Sequence, residues 1–217
     1  MYFSTQDIDA LEHIYKINLI NSCSGYKSAN LIATQSKDKQ TNVAVFSSVI
    51  HLGSEPALIG FVLRQGKVER HTFENIIETK YYTINHINDT IYTKAHHSSA
   101  KFPRETSEFL ATGLNSVYLN NFYAPYVEQS LIKFGLELQE VIEIKSNETK
   151  LIVGKITDIH LPSNCVHENG FVDLQNAGSM SIGGLDAYYN LDLQARLSYA
   201  ETFEIPKPID FNNNGRG

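Results

Sequence analysis

The strongest chemical signal in this chain is Arg64, followed after Gly66 by Arg70, His71 and Thr72. A guanidinium fork next to a helix N-terminus suits an anion, phosphate above all, because unpaired N–H groups and the helix dipole both favour negative charge there. Thr72 is the expected N-cap of a helix over residues 71–77, in which Phe73, Ile76 and Ile77 share a face. Glu74 in the first turn works against the idea, since it must point to solvent or repel the anion. A capped helix beside a solvated basic loop accounts for these residues equally well on physical grounds. Upstream, Asn42-Val43-Ala44-Val45-Phe46-Ser47-Ser48 sets an apolar strand against a small, polar end. Such an end lets main-chain amides approach a flat heterocycle and hydrogen-bond its edge. Taken alone, the segment reads more simply as a strand running into a turn. Hydroxyls, amides and a few cations recur from Thr41 to Lys101 between strand-like runs, and together they read as a pocket for an anion and a ring.

Other chemistries lack their residues. No GxGxxG or GxxxxGK[ST] run follows a strand, and no GxSxG elbow is present. The adjacent His96-His97 diverge on a helix and lack HExxH spacing, so a metal site is not expected. Cys23 and Cys165 are isolated, outside any CxxC spacing, and read as bystander thiols. With 18 Lys and Arg against 24 Asp and Glu, the chain lacks the basic excess that a nucleic-acid partner demands. No apolar run reaches a membrane span of roughly eighteen residues, and the first thirty residues lack a basic stretch followed by an apolar core. A soluble, cytoplasmic chain is the expectation.

The elements that must hold this pocket are mostly strands. Runs at Leu31–Thr34, Val43–Val49, Ala57–Leu63 and Tyr81–Asn85 are short, β-rich and separated by polar turns, as in an antiparallel meander or barrel. Lys133–Ile144 and Leu151–Ile159 flank a polar turn and read as a hairpin that completes it. The helix at residues 71–77 is inserted between strands, and Asp89–Ser98 suits a second short helix. Residues 1–18 carry Ile8, Leu11, Ile14 and Tyr15 at helical spacing, as a lead-in helix or arm. Proline breaks Lys101-Phe102-Pro103-Arg104 into a loop, and a surface excursion is expected to about Pro125. Beyond Cys165, Gly178, Gly183 and Gly184 are expected in loops. No linker divides the chain, so residues 1–217 are expected as one domain, with a barrel core over about 20–160 and a C-terminal extension over about 165–210.

Residues 42–48, His51-Leu52-Gly53-Ser54-Glu55-Pro56-Ala57, Gly60-Phe61 through Arg64, and His71-Thr72 with Asn75-Ile76 carry a resemblance. So do Tyr82-Thr83-Ile84-Asn85-His86, Ala95 to Pro103, Ser107-Glu108-Phe109, Ala124-Pro125 with Glu128-Gln129-Ser130, and Gly184-Leu185-Asp186 with Tyr188-Tyr189. In order and spacing they resemble the flavin reductase-like family of FMN-binding, flavoredoxin-like split barrels. The resemblance implies a mainly β protein, a Greek-key split β-barrel with short inserted helices, assembled as a homodimer with FMN near the subunit interface. It implies Asn42, Ser47 and Ser48 along the ribityl chain and isoalloxazine edge, and Arg64, His71 and Thr72 at the phosphate. Ser99 and Lys101 would fall in a loop closing over the flavin, although a solvated surface lysine explains Lys101 as well. The activity implied is passage of electrons from NAD(P)H to flavin or a partner acceptor, with no catalytic acid or base needed. A non-enzymatic FMN-binding electron carrier or flavin-storage protein stands as the alternative, and a flavin-free dimeric scaffold as a third.

Overall fold

The computed structural model describes residues 1–64, 71–103 and 105–212, so Gly66, Arg70 and Arg104 lie outside the described residues. The chain opens with α1 (Thr5–Ala10) and α2 (His13–Cys23), followed by β1 (Lys27–Ser28), β2 (Asn30–Gln35), β3 (Thr41–Phe46), β4 (Val49–Ser54) and β5 (Ala57–Leu63). Then come α3 (His71–Thr79), β6 (Tyr81–His86), α4 (Tyr92–His97), α5 (Glu108–Thr112), β7 (Ser116–Val117), β8 (Tyr126–Val127), β9 (Lys133–Ile144) and β10 (Thr149–His160). The C-terminal part adds β11 (Ser181–Gly183), β12 (Ala187–Tyr189), β13 (Arg196–Leu197) and β14 (Pro208–Ile209).

The main sheet has seven antiparallel strands in the order β3-β2-β6-β9-β10-β5-β4. Its two edges, β3 and β4, are consecutive in the chain yet do not pair, and they are joined only by Ser47-Ser48. Two side-chain contacts tie this corner to β5, the strand beside the β4 edge. Phe46 meets Phe61 edge-on with ring centroids 5.1 Å apart. The Ser48 hydroxyl donates to the Val62 carbonyl at 2.8 Å and accepts from the Val62 N–H at 3.2 Å. A serine side chain thus satisfies strand-edge groups that another strand would otherwise take up, and the barrel remains split at this seam.

Strand alternation sorts the core into two layers, because successive side chains face opposite sides of a sheet. From β2, Ile32 joins Phe61, Ile76, Tyr82, Ile84, Leu136 and Ile152 in one buried cluster. Its neighbours Leu31 and Ala33 join Val43, Ile91, Ala95, Phe109 and Ile182 in the other. The second layer is what holds α4, α5 and β11 against the barrel. Helix α3 contributes Ile76 to the first layer, which fixes the helix against β2, β3 and β6.

Several expectations are corrected. The run from Val43 ends at Phe46, and Val49 opens a separate strand, because the two serines turn the corner between sheet edges. The N-terminal arm is two helices: Ser4 and Asp7 form a reciprocal cap at the start of α1, and the chain divides at Leu11-Glu12, where Glu12 caps α2. Thr72 lies in the first turn of α3 rather than ahead of it. The stretch to Pro125 is no simple surface excursion, since α5 buries Glu108, Phe109 and Thr112. Gly183 belongs to β11, in a small sheet ordered β1-β11-β12.

His86 at the end of β6 carries a pH dependence. Its Nδ1 lies 3.0 Å from Ser179 Oγ and its ring packs against Phe134. Burial holds the imidazole neutral down to about pH 4. Between an ordinary histidine pKa and that value the unfolded chain binds the extra proton and the folded chain does not, so stability rises with pH across this window and falls as pH drops from about 6.5 toward 4. The expected loss is about 1.4 kcal/mol per pH unit from this group. Urea melts at pH 7, 6, 5 and 4.5 should show a steeper loss in the parent than in His86→Gln, and equal slopes would refute the assignment.

Candidate functional site

Two adjoining clefts of about 410 and 580 Å³ open where β3 and β5 end, and they share Val45, Phe46, Leu63 and Ser99. The first also takes Ser47, Ser48, Arg64, His96, Leu185 and Asp186 into its wall. The second takes Asn42, His71, Thr72, Lys101, Phe102 and Glu108. All eight sequence-predicted residues therefore border one joint groove. They do not gather at one point: Arg64 lies on the first cleft, His71 and Thr72 on the second, and residues 65–70 between them are not described. Glu74 borders neither cleft and lies with Phe73, Ile77 and Glu78 around a separate shallow depression on α3.

Each side chain is placed by a local reason. Asn42 on β3 is buried, and with its amide oriented to satisfy both ends, its nitrogen donates to the Glu108 carboxylate at 3.2 Å while its oxygen accepts from the Thr72 hydroxyl at 2.9 Å. The expected capping hydroxyl of Thr72 is thus used to tie α3 to β3. Glu108, only 8% exposed, ties α5 to the same strand. Its burial pushes the carboxyl above the usual carboxylate range, against N–H donors including that of Val43 and the charge of His71, which pull it down. Thr41 and Ser107 add a hydroxyl pair at 2.9 Å beside it. At the first cleft the Arg64 guanidinium donates to Asn21 Oδ1 of α2 at 2.8 Å, which anchors the N-terminal arm to the end of β5. Ser99 donates to the His96 carbonyl at 2.7 Å in the turn that ends α4, and Lys101 is exposed beyond it. His96 in turn lies 3.3 Å from the Tyr188 hydroxyl. That hydroxyl is pushed up to about 12 by burial and, secondarily, by the Asp186 carboxylate.

This arrangement can hold a planar ring against Val45, Phe46 and Leu63, meet a polyol with hydroxyls and the Asn42 amide, and meet an anion with Arg64, His71 or Lys101. Sequence reasoning missed Glu108, His96 and Asp186 as parts of the groove. His96 stands out in sequence only as half of a pair unsuited to metal. Glu108 and Asp186 sit within stretches that carry the family resemblance, but neither has a neighbour in sequence that marks a role.

Residues 24–177 match the model of the flavin reductase like domain family. A crystal structure of a protein assigned as a flavin reductase with split barrel domain, from Shewanella frigidimarina NCIMB 400, is 46% identical, covers 92% of this chain and 100% of its own, and superposes with a TM-score of 0.89. Nitrilotriacetate monooxygenase component B from Bacillus cereus is 16% identical over 91% of this chain and 98% of its own, with a TM-score of 0.79. Flavoredoxin of Desulfovibrio vulgaris (Miyazaki F) is 21% identical over 82% of this chain and 91% of its own, with a TM-score of 0.68. The last two share the fold. With most of its length matched, and with the split sheet found in its structure, the chain belongs to the flavin reductase-like family.

Proposed function

We propose that this protein binds FMN in the joint groove and passes electrons from NAD(P)H to flavin or to a partner acceptor. The observation that carries the reading is the graded chemistry of one groove: an apolar wall at Val45, Phe46 and Leu63, hydroxyls and an amide at Ser47, Ser48, Asn42 and Thr72, and cations at Arg64 and Lys101. FMN has the same three parts, a flat ring, a polyol and a phosphate. Each cleft falls in the range of about 300–1,000 Å³ usual for small-molecule sites. The family assignment and the flavin named in its relatives support the same ligand.

Asn42, Ser47 and Ser48 would line the polyol and ring edge, Arg64, His71 and Thr72 the phosphate end, and Ser99 and Lys101 the rim. When bound, the flavin supplies the redox chemistry, accepting a hydride from reduced nicotinamide and giving up electrons to an acceptor. The protein's own contribution is position and electrostatics. Buried Glu108 fixes the orientation of the Asn42 amide in the groove wall. Val45, Phe46 and Leu63 would supply the apolar wall for the ring and exclude water there.

Purified protein should carry or take up FMN, seen in its visible absorbance, and anaerobic NADH or NADPH should bleach it. FMN that binds but is not bleached by either donor would favour the electron-carrier reading instead.

We also infer a homodimer. The tip between β13 and β14 exposes Phe203 and Ile205 at 97% and 87%, with Tyr199 at 59% beside them. Apolar side chains presented together in this way mark an interaction face. Light scattering at micromolar concentration should give twice the chain mass, and a monomer with FMN bound would contradict it.

A further inference from the structure

A third cleft, of about 430 Å³, lies between α2 and the β11–β12 turn and shares Leu185 and Asp186 with the flavin groove. Only the turn at Gly183-Gly184-Leu185-Asp186 separates the two spaces. One end of the cleft is aromatic. Tyr26 and Tyr189 meet edge-on with centroids 4.8 Å apart and remain 62% and 39% exposed. Gly184, at φ +62°, passes against Ser22 of α2, where a side chain would be strained. Asn18 and Ser22 present an amide and a hydroxyl from the helix. Among the described residues that line the cleft, Asp186 is the one that carries a charge, and no Lys or Arg is among them.

The described lining, with its tyrosine faces, neutral polar groups and single carboxylate, offers a phosphate no cation. It suits an uncharged aromatic base carrying a sugar with hydroxyls. Bases stack on exposed tyrosine faces, and a carboxylate accepts hydrogen bonds from ribose hydroxyls while repelling a phosphate placed on the same sugar.

We propose that this cleft holds the adenosine half of the nicotinamide donor, and that Asp186 makes the donor NADH rather than NADPH. The proposal rests on the reductase reading above, because the dinucleotide must cross the Leu185-Asp186 turn to bring its nicotinamide into the flavin groove. Tyr26 and Tyr189 are the stacking platforms, and Asp186 faces the ribose.

The test is calorimetric titration of the FMN-loaded protein with NAD⁺ and NADP⁺. NAD⁺ should bind at least about tenfold tighter, as expected of a carboxylate that accepts from a ribose hydroxyl and rejects a phosphate there. Tyr26→Ala and Tyr189→Ala should each weaken NAD⁺ about tenfold, in keeping with the loss of a base-stacking face, while FMN affinity read by flavin fluorescence stays at the parent value. Asp186→Asn should bring NADP⁺ close to NAD⁺, since it removes the repelling charge. Parent protein that binds NADP⁺ as tightly as NAD⁺, or tyrosine variants with unchanged NAD⁺ affinity, would overturn the proposal.

Flavin-free protein titrated with adenosine separates this outcome from failure of the reductase reading. Adenosine binding that either tyrosine variant weakens supports the cleft even where bound FMN is not bleached by NADH. Absence of adenosine binding overturns it even where FMN is reduced.

Discussion

Arg64→Ala should bind FMN about ten- to a hundredfold more weakly than the parent while its affinity for riboflavin stays nearly the same. A hydrogen bond to a charged group contributes about 1.5–3 kcal/mol, and about 1.4 kcal/mol is a factor of ten in affinity. Riboflavin lacks the phosphate, so it lacks the contact that Arg64 is proposed to make. The guanidinium also holds Asn21 of α2 at 2.8 Å, and its removal frees the helix. Asn21→Ala removes that tether and keeps the cation. If the arginine acts on the phosphate, Asn21→Ala retains FMN affinity. If it acts by anchoring α2, Asn21→Ala reproduces the loss, and riboflavin suffers equally in both variants. Fluorescence titration of both flavins against the three proteins decides between these outcomes.

Gly154→Ala should destabilise the fold by about 1–3 kcal/mol or more, the range for inserting a methyl into a packed core. Gly154 sits at a register shift in β10 opposite β9, and a Cβ there would clash with the Tyr82 hydroxyl and lie 2.8 Å from the carbon that bears it. Tyr82 is fully buried, edge-on to Phe61, so its ring has little room to retreat. Its hydroxyl finds no hydrogen-bond partner among the described residues, and burial pushes that phenol far above its usual range. Tyr82→Phe alone should therefore cost little, since no hydrogen bond is lost. In the Gly154→Ala background it should restore part of the stability, because it removes the atom the new methyl meets. A double-mutant cycle by urea unfolding should show coupling above the additive sum. Additive effects would mean that the backbone of β10 moves instead of Tyr82.

Sequence alone determined the parts of this protein whose signal is local. The short apolar run at Leu31–Thr34 is enough to define a strand, though its burial on both faces emerges only in the fold. The polar turn between residues 144 and 149 is enough to define the long hairpin, found at Lys133–Ile144 and Thr149–His160. The hydroxyls, amides and cations from Thr41 to Lys101 read as a pocket, and the eight residues that the family resemblance implied at the cofactor all border the groove. What the sequence could not carry was the pairing of side chains from distant elements. Asn42 meets Glu108, Arg64 meets Asn21, and His96 meets Tyr188 across gaps in sequence that no short-range period spans. Ser47-Ser48 reads locally as an ordinary turn; only the curled sheet makes it the seam of a barrel, by bringing Val62 within reach of the Ser48 hydroxyl. Thr72 has the composition of a helix cap, yet the packing of α3 on β3 turns its hydroxyl toward Asn42. Periodic burial is repeated over many residues and survives in the one-dimensional pattern. A single polar contact is made once, and it exists only after the tertiary fold has set the distance between its partners.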